Sequence, residues 1–285
     1  MTDPARATSS HRGSEGVVPL AVTDAHIHLF EQGWGGKGPA DADLTAYLEL
    51  RRRYGIDRAL VVGYEGEADQ VSYAGNNEYL LRVAAEHDWV VPLCYLDRTA
   101  VAADPLLPGR WLERGAAGWS AYVIGVEEAQ AWAALPEAVW SGLDAPALLS
   151  LNIDPAALEV LLPRLATLAR VTVLISHLGL PGRGSGSPAE RLRPVVEAVR
   201  TLPRCRVKVS GLYALAGEAE QPPYPSAVPY LEVLRDEVGL GSLVWGSDAP
   251  PVLDHQDFAS QVDLSGYGVF DDADLAQLRS GAGLA

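Results

Sequence analysis

The sequence is short of cysteine, of basic residues and of long apolar runs, and each shortage argues against a class of protein. Its two cysteines, Cys94 and Cys205, stand in separate apolar runs. Neither belongs to a closely spaced zinc-ribbon or redox pair, and both read as buried free thiols. Lysine and arginine together number 22 against 37 aspartates and glutamates, a formal charge of −15. A field of that sign repels phosphate backbones and anionic headgroups, so neither nucleic acid nor a membrane surface is an expected partner. No stretch approaches the ~20 apolar residues of a membrane span. The opening MTDPARATSSHRGSEG lacks the apolar core of a secretory signal, and a cytoplasmic location is the expectation.

What the chain does have is core material. Hydrophobic residues make up 48% of 285, enough for one large globular domain. Residues 1–18, rich in Ser, Gly, Arg and Asp without periodicity, read as a flexible leader, and residues 19–285 as a single domain. That domain contains eight short apolar runs: VTDAHIH (22–28), RALVVGY (58–64), WVVPLCYL (89–96), AGWSAYV (117–123), ALLSLNI (147–153), VTVLIS (171–176), CRVKVSG (205–211) and SLVWGSD (242–248). They recur about every 31 residues, the length of a strand–helix–strand repeat. Segments of helical periodicity lie between them, among them 44–55, 77–87, 155–169 and 188–202. Eight strands too apolar to face water on either side predict a (β/α)8 TIM barrel rather than an open sheet. The dinucleotide fold would want a glycine-rich turn opening a helix after the first strand. The residues after His28 are instead LFEQGWGGKG, whose glycines come too late.

In such a barrel, chemistry sits where the strands end. Strand one ends in DAHIH, and a spacing of two puts Asp24, His26 and His28 on one face. Two imidazoles so spaced can share a metal ion, although a core histidine needs only one hydrogen-bond partner. Strand six ends at His177 and strand eight at Asp248. Alone, the first reads as structural and the second as a helix cap. Together, the two imidazoles of strand one, His177 and Asp248 fall at the same end of three strands, which favours a site. Asp24, one step deeper, is expected to pair with inward-facing Arg206. Lys208, one of two lysines in the chain, lies mid-strand among apolar residues. Buried, it must pair with a carboxylate or reach the substrate. Tyr64, Tyr95, Arg98, Tyr213 and Arg183 lie on loops at the same end, where packing or surface roles serve equally. His11, His87 and His255 receive no role.

The pieces DAHIH, ISHLGLPG, VKVSGLY and VWGSDAPP, in this order over about residues 20–255, resemble the amidohydrolase superfamily. Within it the resemblance is to the amidohydrolase 2 branch of TIM-barrel hydrolases, and there to the lactonases, including sugar-acid lactonases and 2-pyrone-4,6-dicarboxylate lactonase, which open cyclic esters. The resemblance implies His26 and His28 as metal ligands or electrophilic donors, His177 as ligand or carbonyl polariser, and Asp248 as ligand and general base. A divalent metal, zinc before others, is the implied cofactor.

Two positions depart from the wider family. SLNID places Asn152 where zinc-dependent relatives carry a histidine at the end of strand five, and an amide binds zinc less well than imidazole. GWSAYV stands where an arginine commonly meets a substrate carboxylate, so Trp119 and Tyr122 give a less cationic pocket. With Asn152, Lys208 and Tyr213 they make up the expected substrate-binding set. The expected partner is a small molecule, and a homo-oligomer through the outer helices stays open. Two other readings stand beside the lactonase: a zinc-dependent non-oxidative decarboxylase of an aromatic or unsaturated acid, and a degenerate barrel that only binds a ligand.

Overall fold

In the computed structural model, which describes residues 21–284 apart from 37 and 69, eight parallel strands succeed one another around a barrel in chain order. They are β1 (Val22–Ile27), β2 (Ile56–Val62), β3 (Val90–Tyr95), β4 (Gly118–Val123), β5 (Leu148–Ile153), β6 (Thr172–Ile175), β7 (Cys205–Val209) and β8 (Leu243–Trp245). Seven of the predicted runs contain one of them whole, and RALVVGY (58–64) overlaps β2, which begins two residues earlier at Ile56. The leader expected over 1–18 lies outside the described residues. A parallel bridge between Ile27 and Ala249 closes the ring from β8 to β1. There the Asp248 N–H donates to the His26 carbonyl at 2.8 Å and the His28 N–H to the Ala249 carbonyl at 2.7 Å.

Helices cover the outside: α1 (Ala42–Tyr54), α2 (Asn76–Glu86), α3 (Arg98–Ala103), α4 (Leu107–Glu113), α5 (Val126–Ala133), α6 (Glu137–Leu143), α7 (Pro155–Leu165), α8 (Pro188–Thr201), α9 (Val228–Glu237), α10 (Phe258–Val262) and α11 (Asp272–Arg279). Their ends reflect local chemistry. Pro155 opens α7 behind Asp154, whose carboxylate accepts from the Ala156 and Ala157 N–H groups. Ser187 and Glu190 form a capping box at α8. α1 stops at Gly55, left-handed at φ 64°, whose N–H returns to the Arg51 carbonyl.

Alternation along the strands makes two apolar layers. Outward side chains such as Val61, Trp119, Ile175 and Trp245 pack against the helices. Inward ones, among them Ala25, Leu60, Val62, Leu93, Leu174 and Val244, plug the N-terminal end of the barrel together with Leu284. Above that plug the interior turns polar, with Ser120, Ser150, Ser176, Lys208 and Ser210 all buried. The polar layer is the floor of the site. Cys94 and Cys205 are buried free thiols.

One residue of β1 breaks the alternation. Asp24 pairs with Ala59 and Ile27 with Val61, three steps on β1 against two on β2. That extra residue is a bulge. Ala25 packs inside, Ile27 outside, and Asp24 is turned to the helix layer, where its carboxylate accepts from the Tyr47 hydroxyl of α1 at 2.9 Å. The shared face expected for Asp24, His26 and His28 is therefore corrected: the two histidines share it and Asp24 does not. Its expected partner Arg206 is corrected too, because Asp24 is saturated by Tyr47 and by the Ser247 and His26 N–H groups.

Candidate active site

The C-terminal mouth of the barrel opens into a cavity of about 330 Å³, within the range of small-molecule sites. His28, His177 and Asp248 line it, and His26 is fully buried directly behind them. His26 Nε2 lies 3.2 Å from His28 Nε2 and 3.6 Å from Asp248 Oδ1, which is 3.9 Å from His28 Nε2. His177 joins from the opposite wall, with Nδ1 3.9 Å from Asp248 Oδ2. The four residues read from three strand ends thus converge.

The backbone is strained to bring them there. His177, Leu178 and Asp248 hold left-handed φ values of 52°, 58° and 62°, which cost non-glycine residues about 1–3 kcal/mol each. Two glycines make room. A Cβ on Gly246 would sit 2.8 Å from His26 Cβ, and one on Gly211 would sit 2.5 Å from His177 Nδ1.

Burial sets the charge states. It pushes the imidazoles of His28 and His177 down to about 4 and about 3, and holds that of His26 well below its ordinary value, so burial favours the neutral form of all three. Burial also lifts Asp248 to about 6, against the pull of His28, the Tyr213 hydrogen bond and Lys208. Tyr213 donates its hydroxyl to Asp248 Oδ2 at 2.8 Å, and its ring stacks on His255 at 4.1 Å.

The donor set suits a divalent metal. Ligands about 2.05 Å from a tetrahedral zinc stand about 3.3 Å apart, close to the spacings among His26, His28 and Asp248. His26, His177 and Asp248 can likewise each turn one ligand atom to within 4.8 Å of the others. His28 Nδ1 donates to the Val62 carbonyl at 2.7 Å, which leaves its Nε2 lone pair facing the site, as a ligand requires. His26 does the same only with its proton on Nδ1, opposite Lys208 Nζ at 3.2 Å. Burial brings the Lys208 ammonium down to about 7, so a neutral amine is available to accept that proton.

The expected substrate-binding residues divide. Tyr122, Asn152 and Tyr213 line the cavity. Trp119 does not: strand alternation turns its indole outward, where Nε1 donates to the Pro108 carbonyl of α4 at 3.0 Å. Lys208 is fully buried in the floor and donates to Ser150 Oγ at 2.7 Å, so it neither forms an ion pair nor reaches the cavity. Sequence reasoning missed Phe30, Trp34, Asp254 and His255, all on the cavity wall. Trp34 Nε1 donates to Asp254 Oδ2 at 2.8 Å and so ties the loop after β1 to the loop after β8. The aromatic residues just beyond HxH were the available signal. Tyr64 lines the cavity, whereas Arg98 is held by Glu128 and Arg183 by the Ala216 carbonyl.

A family model described as amidohydrolase matches residues 23–281. No curated protein matches the chain. Among solved structures, a protein from Acinetobacter baumannii provisionally named 2-pyrone-4,6-dicarboxylic acid hydrolase, with citric acid bound, is similar at a TM-score of 0.67 and 17% identity, covering 91% of this chain and 96% of its own. An amidohydrolase from Burkholderia multivorans with bound zinc gives 0.66 and 19%, covering 92% and 96%. A 5-carboxyvanillate decarboxylase from Sphingomonas paucimobilis gives 0.59 and 10%, covering 93% and 97%. Identities this low carry likeness of fold and nothing finer.

Proposed function

The chain belongs to the amidohydrolase family, and from that premise we propose that it is a lactonase, opening a small cyclic ester with Asp248 as general base. The observation that carries the reading is the Asp248 carboxylate. It lies at the cavity wall among three neutral imidazoles, with one oxygen held by Tyr213 and with burial raising its basicity to about 6. A carboxylate so tuned can take a proton from water near neutral pH and give it back.

In the proposed reaction Asp248 removes a proton from a water lying against the lactone carbonyl. The resulting hydroxide adds to the carbonyl carbon, and the developing oxyanion is received by the N–H of His177, since His28 spends its own on the Val62 carbonyl. The tetrahedral intermediate collapses with cleavage of the ring C–O bond. Asp248 returns its proton to the departing alkoxide, and the product is an open hydroxy acid. Tyr213 positions the base through its 2.8 Å hydrogen bond. His26, His28 and Asp248, with His177 beside them, would hold a divalent ion, zinc by the chemistry of the donors. When bound, such an ion lowers the pKa of water and polarises a carbonyl.

A structural relative provisionally named for hydrolysis of a pyrone, itself a cyclic ester, is consistent with this chemistry. Decarboxylation is less well supported, since it leans on a strong metal site and Asn152 stands at the end of β5 in place of an imidazole. The test is base consumption on a panel of lactones by the wild type and by Asp248→Asn. We expect the variant to keep its fold by circular dichroism and to lose at least about 10³-fold in kcat/KM, the order expected when base and positioning are lost together. Substantial remaining turnover on a lactone that the wild type opens would overturn the assignment. Carbon dioxide release from hydroxybenzoates without lactone opening would replace the reaction.

A further inference from the structure

The ring of strands has one thin seam. From β1 round to β8 each strand joins the next through a ladder of registered residues, whereas among the described residues β8 and β1 meet at the isolated bridge between Ile27 and Ala249. The candidate base stands at that seam, and two of the imidazoles it faces lie across it. Asp248 is moreover left-handed at φ 62°, a conformation that persists only where its surroundings enforce it.

One carboxylate spans the seam from behind. Asp24 Oδ1 accepts the Ser247 N–H of the segment after β8 at 2.8 Å and the His26 N–H of β1 at 3.2 Å, while Oδ2 accepts the Tyr47 hydroxyl of α1 at 2.9 Å. Asp24, His26 and Ser247 are all fully buried. A buried backbone N–H needs an acceptor, which in a regular ladder is a carbonyl of the next strand. Here the β1 bulge swings Asp24 out of the barrel, and one side-chain oxygen serves both strands.

The two N–H groups so held are the ones next to the chemistry. Ser247 directly precedes Asp248, and His26 is one of the imidazoles itself. The same run is tied again from its other side, where the Asp248 N–H donates to the His26 carbonyl at 2.8 Å. Gly246 lies so close that a Cβ there would sit 2.8 Å from His26 Cβ. A shift of residues 246–249 against β1 therefore carries the Asp248 carboxylate away from the imidazoles.

We propose that Asp24 is a positioning residue: its buried carboxylate pins the segment that carries Asp248 to the strand that carries His26, and so fixes the base against the imidazoles. That Asp248 is the base rests on the lactonase reading. The clamp itself is a matter of geometry. Asp24 touches no reacting atom, and a residue that merely secured α1 would act through Tyr47 alone.

Hydrogen exchange read by mass spectrometry on the full-length wild type, Asp24→Asn, Asp24→Ala and Tyr47→Phe tests the clamp without a substrate. Asp24→Asn keeps the shape and offers the two N–H groups a neutral oxygen, whereas Asp24→Ala removes the acceptor. Bonds to a charged acceptor are roughly twice as strong as neutral ones, so peptides over 243–249 should exchange about tenfold faster in Asp24→Asn and faster again in Asp24→Ala. Tyr47→Phe should loosen 42–54 and leave 243–249 as it was. On a lactone that the wild type opens, kcat should fall about fivefold in Asp24→Asn and about 100-fold in Asp24→Ala with KM nearly unchanged, while Tyr47→Phe stays within about twofold.

Unchanged exchange over 243–249 in Asp24→Asn overturns the proposal. So does wild-type kcat in both Asp24 variants with only the melting temperature lowered, or an equal loss of kcat in Tyr47→Phe and Asp24→Asn, which would assign the effect to α1. If Asp24→Ala fails to fold, Asp24→Asn decides. If the wild type opens no lactone, the lactonase reading falls and the exchange rates alone decide the clamp.

Discussion

A carboxylate held at about 6 has a consequence that can be read from outside the protein. Only the ionised form of Asp248 can accept a proton, so kcat/KM should rise about tenfold per pH unit up to about pH 6 and level off above it. The direction comes from the causes. Burial raises the pKa, and the Tyr213 hydroxyl lowers it by donating to the charged form. Tyr213→Phe removes the lowering contact, so the acid limb should move to higher pH, whereas a purely structural tyrosine would leave it in place. A pH–rate profile of both proteins checks this. Asp24 is also lifted to about 6 by burial, but it faces Tyr47 across the helix layer and has no route to the cavity.

At the scale of the elements, the site depends on backbone as much as on side chains. Gly211, left-handed at φ 63°, lies where any Cβ would strike the His177 ring. Gly211→Ala should therefore cost about 1 kcal/mol from its φ alone. By displacing His177 it should also lower kcat/KM by about 100-fold, as ångström-scale misplacement does. Activity within twofold of wild type, measured alongside a thermal melt, would show that His177 has no positional role. This level is also where the sequence was most and least legible. Eight apolar runs, HxH at the end of one and His177 and Asp248 at the ends of two others can be read from periodicity and barrel geometry. The β1 bulge cannot, because one inserted residue leaves no compositional trace, and it is what turned Asp24 outward. Trp119 was misplaced for a different reason: its neighbours Ser120 and Tyr122 face inward, and a period of two then requires the indole to face out. Phe30, Trp34, Asp254 and His255 come from loops, whose paths no periodicity reports.

Over the whole molecule the charge of −15 is the governing electrostatic fact. Ion pairs such as Arg82–Glu31, Arg193–Glu159 and Arg200–Glu237 lie on the surface, where each contributes about 0–1 kcal/mol and salt screens it. The net field remains, and it acts on any charged molecule that approaches. An uncharged substrate feels none of it, so kcat/KM should change by less than about twofold between low and high salt. An anionic substrate would instead react faster as salt screens the repulsion. Stopped-flow or steady-state rates across a salt series distinguish the two. None of the described helices is long and apolar enough to cross a membrane.

The closure of the barrel has one more consequence. His26 and His28 belong to the first strand, while Asp248 and the segment beside it arrive about 220 residues later, as the hydrogen bond from Ser247 to Asp24 across 223 positions records. A chain leaving the ribosome carries its paired imidazoles into solution long before their carboxylate has been translated, and the base meets them only when the last strand docks. Hydrolysis would thus begin at the final step of assembly. On the proposed reaction, half-made or half-folded copies should be chemically silent, and in a refolding mixture the appearance of turnover should time the closing of the ring.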